Sequence, residues 1–414
     1  MQFSNALKTG YEIKFFKIKN LLQPFCYNSK KTRKSMFNSR VWNLKTFTKF
    51  NYLLMIQILP ILIFSSYLIN EINKRLFEKQ IIYYAIGIFA FALAVIIPWR
   101  KIAWWFIPFL YFFSLILVES VQFFGIISDG AKRWIAIPGT HFTIQPSELF
   151  KITVILMLGY VIAKNPPEKE GYGLKMFLKL SIVVLVPCLI VLIQPDLGTA
   201  LSILIPSFGI IFLAGVRWKV WIGIAIIIAL CAPLLYNYGL KSYQKQRIED
   251  FVNKPSYQVQ QALIAIGSGG LKGKQKEEAT QTQMKFLPVA STDFIFAYLG
   301  ERLGFVGMAS VVLLYILLIL HLLYISKNAS GDCMLRVVSA GIAWILFIHM
   351  GVNIYMIIGL APVVGLPLPM FSHGGTSFLV FIFLFGILQN LLAFQSYLGY
   401  NSDSKISMIT KNKI

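Results

Sequence analysis

FLPVASTDFIFAYLGERLGFVG, from Phe286 to Gly307, is where a long polar loop ends and a membrane helix begins. At its centre is Asp293, which no other charge follows until Glu301, so its carboxylate stands where water gives way to hydrocarbon. A charge inside a membrane costs about 2.5–3.5 kcal/mol on insertion scales, so such groups persist where they pair, line a cavity or do chemistry. Two readings stand side by side. Thr292 or Asp293 caps the helix, satisfying free backbone N–H groups and the positive end of its dipole; alternatively, Asp293 takes part in a reaction. The spacing alone leaves both open.

Working outward, the 414 residues are 57 % hydrophobic and only 14 % charged, which excludes an ordinary soluble domain. Apolar runs recur from Tyr52 to the C-terminal region, each near the roughly 20 residues that cross a bilayer as helix. The expected fold is therefore all-α, a polytopic membrane protein of about ten spans. No cleavable signal sequence is expected, because the N-terminus is basic and aromatic with no h-region and cleavage site. A net charge of +22 could suggest nucleic acid. In a membrane protein, however, Lys and Arg anchor cytoplasmic loops to anionic lipid, and no nucleic-acid partner is expected. Four scattered cysteines and four histidines without metal-site spacing predict neither a disulfide nor a histidine metal site.

Residues 1–49 form a basic arm, 50–397 the membrane domain and 398–414 a tail. The expected spans are about 52–70, 81–98, 103–120, one from about 147, then 176–194, 197–215, 220–238, 293–324, 335–358 and 376–396. Between the seventh and eighth lies a long outer loop, 239–292, in which SYQVQQALIAIGSGGLKGKQ reads as a short amphipathic helix stopped by Gly267–Gly270. Prolines and glycines in GLAPVVGLPLPMFSHGGTS forbid regular helix before the last span, and such backbone must line a cavity or be buried in protein. With both termini cytoplasmic, the short loops bearing Arg100, Lys101, Lys164, Arg217, Lys327 and Arg336 fall inside. The long loop is basic too, and is placed outside to meet an anionic substrate.

The 17 acids sort into two sets. Those in expected cytoplasmic segments (among them Asp332), Glu71 and Glu78 beside the first outer loop, and four in the long loop read as solvated. Glu119, Asp129, Glu148, Asp196, Asp293 and Glu301 gather at one predicted boundary. Lys132 and Arg133 lie in GAKRWI, and Lys151 follows Glu148 by three residues, which puts both on one helical face. That pair is either a neutralised structural pair or a substrate-facing one, and Asp196 reads as a helix cap.

GAKRWI with IQPSELFK, QPDLGTA, YQVQQALIAIGSGGLKGK, FLPVASTDFIFAYLGERLGFVG and GLAPVVGLPLPMFSHGGTS, in this order over about 50–397, resemble the shape, elongation, division and sporulation (SEDS) family. QPDLGTA and GLPLP resemble its rod-shape branch more than its division branch. The resemblance implies a ten-helix glycosyltransferase that polymerises lipid II into peptidoglycan strands at the outer face of the bacterial inner membrane, with a class B penicillin-binding protein and the elongation machinery as partners. The apolar, aromatic run FLVFIFLFGIL (378–388) is expected to face lipid and, with the outer loops, to offer a surface to that single-span partner. The resemblance implies Asp293 as the essential acid, with Arg133, Glu148 and Lys151 lining the same cavity and Lys132 beside them. It implies no organic cofactor, and a divalent cation, Mg2+ or Mn2+, held partly by Asp293 is the alternative to Lys and Arg for stabilising the departing pyrophosphate. The chain departs from the pattern where Val289, Ala290 and Ser291 replace a Glu and a His before the Thr-Asp pair, and at His373, where a Tyr is usual. Rival functions are a flippase for lipid-linked precursor, a division-specific polymerase and a scaffold. A flippase needs a charge relay through the membrane, and the acids gathered at the boundary do not continue inward.

Overall fold

The computed structural model describes residues 49–128, 131–136, 139, 143–168, 170–194, 196–234, 256–284, 286–287, 289–329 and 331–394. Nearly all of the basic arm, the end of the seventh expected span with the first part of the long loop (235–255), Asp129 and the C-terminal tail lie outside the described residues.

The long helices are α1 (Tyr52–Ile72), α2 (Lys74–Ile96), α3 (Trp99–Glu119), α4 (Leu149–Lys164), α5 (Leu174–Ile193), α6 (Leu197–Leu213), α7 (Trp218–Leu234), α8 (Tyr257–Gly269), α9 (Ile295–Asn328), α10 (Cys333–Ile357) and α11 (Gly375–Ala393). Among the described residues, eight of the ten expected spans, α1–α5 and α9–α11, are long and apolar enough to cross a membrane; α6 and the described part of α7 are shorter apolar helices. Short polar side chains set the boundaries. Asn51 caps α1 through Leu54 N, Asp196 caps α6 through Thr199 N, and Asp332 caps α10 through Leu335 N. Asn73 ends α1 and caps α2, so the polar run EINKRLFEKQ is helical apart from that one residue.

The inner helices are α4, α10 and α11. Of their most apolar windows 78 %, 67 % and 78 % is buried, against 22 % for α2, which faces outward. Small residues bring them together: the α carbon of Gly341 on α10 meets Ile155 of α4 and Ile210 of α6, and Gly87 on α2 lies under the Phe378 ring of α11. The expectation that 378–388 offers a lipid-facing surface to a partner is corrected here. Phe378, Phe381, Leu384, Phe385 and Leu388 are buried in the helix bundle.

Residues 121–147 break the helical pattern with a three-stranded antiparallel sheet, β1 (Ile126–Ser128), β2 (Ala131–Ala136) and β3 (Thr143–Ile144), an addition to the all-α expectation. Ile126 pairs with Trp134 and Ile135 with Ile144, so the central strand carrying Lys132 and Arg133 is held on both edges.

The predicted amphipathic segment is α8, and it ends at Gly270, whose φ of 53° suits glycine. The glycine cluster does more than stop the helix. A Cβ on Gly269 would stand 1.9 Å from Gly300 O, and one on Gly273 would stand 2.2 Å from Arg302 O. Helix α9 is correspondingly broken at Gly304 (φ 64°, ψ −163°), and its first two turns lie against α8. Because the obstructing atom is backbone and cannot swing away, Gly269→Ala is expected to lift α8 off α9 and destabilise the protein by about 1–3 kcal/mol. A thermal melt in detergent checks this; an unchanged midpoint would contradict the close packing.

Of two acids expected in solvent, Asp332 is buried and Glu71 is partly buried, and both are paired. Asp332 is 5 % exposed and pairs with Arg100 of α3, 232 residues away, and Arg100 also donates to Leu391 O at 2.8 Å. Glu71 receives Arg302 through two bonds, 2.8 Å from Nε and 2.7 Å from Nη2, and accepts Tyr298 Oη at 3.0 Å. The Arg302 guanidinium also donates to Lys274 O. This fork ties α1 to α9 and to the segment after α8, a bidentate geometry that only arginine provides.

Candidate active site

Asp293 stands in the turn 289–294, ahead of α9. The helix begins at Ile295 with Phe294 at the N-cap, whose side chain gives no capping bond, so Asp293 lies one residue before the cap position. The turn opens on Val289 at φ 54°, a conformation that a β-branched residue adopts only under constraint. Asp293 Oδ2 lies against Gly365, 3.5 Å from where a Cβ would be. Gly365 itself has φ 69° and sits in the irregular GLAPVVGLPLPMFSHGGTS segment. That segment is inserted among the helices, as its prolines and glycines required: Leu366, Leu368, Met370, Phe371 and Ser372 are all buried.

The same segment touches the start of α6, close in sequence to Asp196. Gly198, at the start of α6, has no room for a side chain because Val364 O would stand 2.1 Å from its Cβ. Two residues earlier, Asp196 does what the sequence suggested, capping α6 through Thr199 N at 3.1 Å, and more besides. It accepts Gln145 Nε2 at 2.8 Å and pairs with Arg133 Nη1 at 3.6 Å. Gln145 then reaches Thr376 Oγ1 at the start of α11 through its backbone N–H, 3.3 Å. Three residues before Thr376, His373 N donates to Ser291 O at 2.8 Å. A ring of contacts thus closes from Asp293 through Gly365, Val364, Gly198, Asp196, Gln145, Thr376, His373 and Ser291 back to Asp293.

Glu148 and Lys151, at the start of α4 and just after Gln145, pair at 2.6 Å, as their spacing predicted. Both are buried, at 4 % and 1 % exposure. Glu148 Oε2 has no hydrogen-bond partner among the described residues, an acceptor left over after the ion pair is made. Lys132 is not drawn in with these groups. Neighbours on a strand point to opposite faces, and while Arg133 meets Asp196, Lys132 Nζ turns back to Gln122 O at 2.5 Å. Burial, and secondarily the Lys79 charge, push the His373 imidazole down to about 4, so it is neutral near pH 7 and adds no cation.

Sequence reasoning missed Gln145, Asn353 and Ser372. Gln145 was inside a quoted motif, next to the more conspicuous Glu148. Asn353 is a buried amide within an apolar span, a placement that is itself a signal. A metal cage does not fit: among the described residues no three His, Cys, Asp or Glu side chains gather. Among the described residues, cationic side chains around this ring include Arg133, paired with Asp196, Lys151, paired with Glu148 just after Gln145, and Lys79, whose charge reaches His373.

Comparison with known proteins adds the following. Residues 42–397 match the FtsW, RodA and SpoVE family, described as cell cycle proteins. The chain is 47 % identical over 366 residues to peptidoglycan glycosyltransferase MrdB of Helicobacter pylori, covering 88 % of this chain and 94 % of that one. It is 37 % identical over 346 residues to MrdB of Escherichia coli K12, covering 81 % and 91 %. The fold is shared with a chain solved in a study of how a peptidoglycan synthase complex coordinates polymerization and crosslinking, with TM-score 0.73, 23 % identity, and 84 % and 98 % of the two chains covered. It is also shared with the Thermus thermophilus rod shape determining protein RodA, with TM-score 0.63, 23 % identity, and 84 % and 97 % covered.

Proposed function

Because the chain belongs to the FtsW, RodA and SpoVE (SEDS) family of cell cycle proteins, we propose that it builds peptidoglycan glycan strands from lipid II with Asp293 as the base. It is a multi-pass membrane protein and a peptidoglycan glycosyltransferase of the elongation type, in line with relatives at 47 % and 37 % identity over most of its length. The observation that carries the role of Asp293 is its seat: a carboxylate in a constrained turn, against the segment that also touches the Asp196 end of α6.

In the proposed reaction, Asp293 takes the proton of the 4-hydroxyl of the acceptor GlcNAc as that oxygen bonds to C1 of the donor MurNAc. The C1–O bond to pyrophosphate breaks, and the lipid pyrophosphate leaves with the electron pair, inverting the anomeric centre. Lys151 and Arg133 offset the charge that grows on the leaving group. Each already has a carboxylate partner, Glu148 or Asp196, which holds the cation in place before substrate arrives. A divalent ion would be held by Asp293 and would supply charge stabilisation to the departing pyrophosphate.

The protein is placed in the bacterial inner membrane with both termini cytoplasmic, supported by the basic short loops, and the site then opens outward where lipid II presents its sugars. A class B penicillin-binding protein is the proposed partner. The test is polymerisation of fluorescent lipid II by the purified chain, alone and with that partner. Glycan strands are expected; absence of product from folded protein with its co-purified partner present would overturn the assignment.

A further inference from the structure

Three successive backbone carbonyls around Asp293 are each taken by a donor from elsewhere in the fold. His373 N donates to Ser291 O at 2.8 Å, Ser372 Oγ to Thr292 O at 2.6 Å, and Asn353 Nδ2 to Asp293 O at 2.8 Å. The last two donors are side chains, and both are buried, at 4 % and 0 % exposure. Each also holds the irregular segment. Asn353 uses its second amide hydrogen on Leu366 O at 2.8 Å, and Ser372 Oγ accepts Leu368 N at 2.8 Å. One amide and one hydroxyl therefore bind the Asp293 turn to the segment carrying Gly365, against which the carboxylate rests.

We infer that Asn353 and Ser372 are positioning residues, a clamp that fixes the direction of the Asp293 carboxylate; this rests on the reading of Asp293 as the base. A turn opening on Val289 at φ 54° does not hold that conformation unaided. Only a group with two hydrogens can serve both carbonyls at Asn353, and only a hydroxyl can donate and accept at Ser372. A base displaced by about 1 Å can lose about 100-fold in rate while substrate binding elsewhere is untouched.

The test uses the purified full chain with lipid II, and reads kcat, KM and the melting midpoint. Ser372→Ala is expected to lower kcat about 10-fold and Asn353→Leu about 100-fold, with KM within about 2-fold of wild type. Ser372→Thr, which keeps the hydroxyl, should recover most of kcat. In an Asp293→Asn background, Ser372→Ala should cost nothing further, because there is no base left to aim. Should Asn353→Leu not fold, the Ser372 pair carries the test. Wild-type kcat in Ser372→Ala, or equal losses in Ser372→Ala and Ser372→Thr, would overturn the clamp. An inactive Asp293→Asn beside a fully active Ser372→Ala removes the clamp alone, whereas an active Asp293→Asn removes the base and the clamp together.

Discussion

Lys151→Met is expected to destabilise the protein by about 3–5 kcal/mol, because it leaves the buried Glu148 carboxylate without its cation. Lys151 is 1 % exposed and its ammonium lies 2.6 Å from Glu148 Oε1. The double variant Glu148→Gln/Lys151→Met should regain the lost stability, since an uncharged pair of similar volume is often no worse than a buried ion pair. That double variant separates the two readings of the pair. If Glu148 and Lys151 only neutralise each other, the folded double variant polymerises lipid II normally. The account here expects it to fold and yet lose about 100-fold or more in rate, the usual cost of removing one charge-stabilising group. Thermal melts and polymerisation rates on the same three samples decide the matter.

The pair was legible because its partners are three residues apart on one helix. Pairs made by distant residues were not. Glu71 and Asp332 looked like solvent-facing acids until their arginines arrived from 231 and 232 residues away. Similarly, Gly267–Gly270 could be read as a helix stop from local sequence, but the contact of Gly269 with Gly300 depends on the path of another helix. Hydropathy located the spans because hydrocarbon thickness dictates their length. It could not tell lipid-facing from buried apolar runs, so FLVFIFLFGIL was turned the wrong way. The small sheet was missed since its strands are short and are specified by pairing, as between Ile126 and Trp134, rather than by alternation. Asp196 was rightly taken as a cap, yet its bonds to Gln145 and Arg133 had no local signal.

Asp293 carries the largest expected effect. A general base works only while it is ionised, and neighbouring cations favour that form. Arg133 is held by Asp196 and Lys151 by Glu148, on either side of the Gln145 link that closes the ring of contacts. Replacing Asp293 by Asn keeps the shape of the side chain and the backbone carbonyl that Asn353 holds. It removes only the capacity to take a proton. Loss of a general base lowers rate by about 100- to 10,000-fold, and Asp293→Ala should match it.

The most direct measurement is therefore the rate at which purified Asp293→Asn converts fluorescent lipid II to glycan strands, alongside wild type at matched melting midpoint. The expected result is a folded, inserted protein with wild-type stability and a rate at least about 100-fold below wild type. Strand synthesis near the wild-type rate would contradict it and leave Asp293 a structural part of the turn before α9.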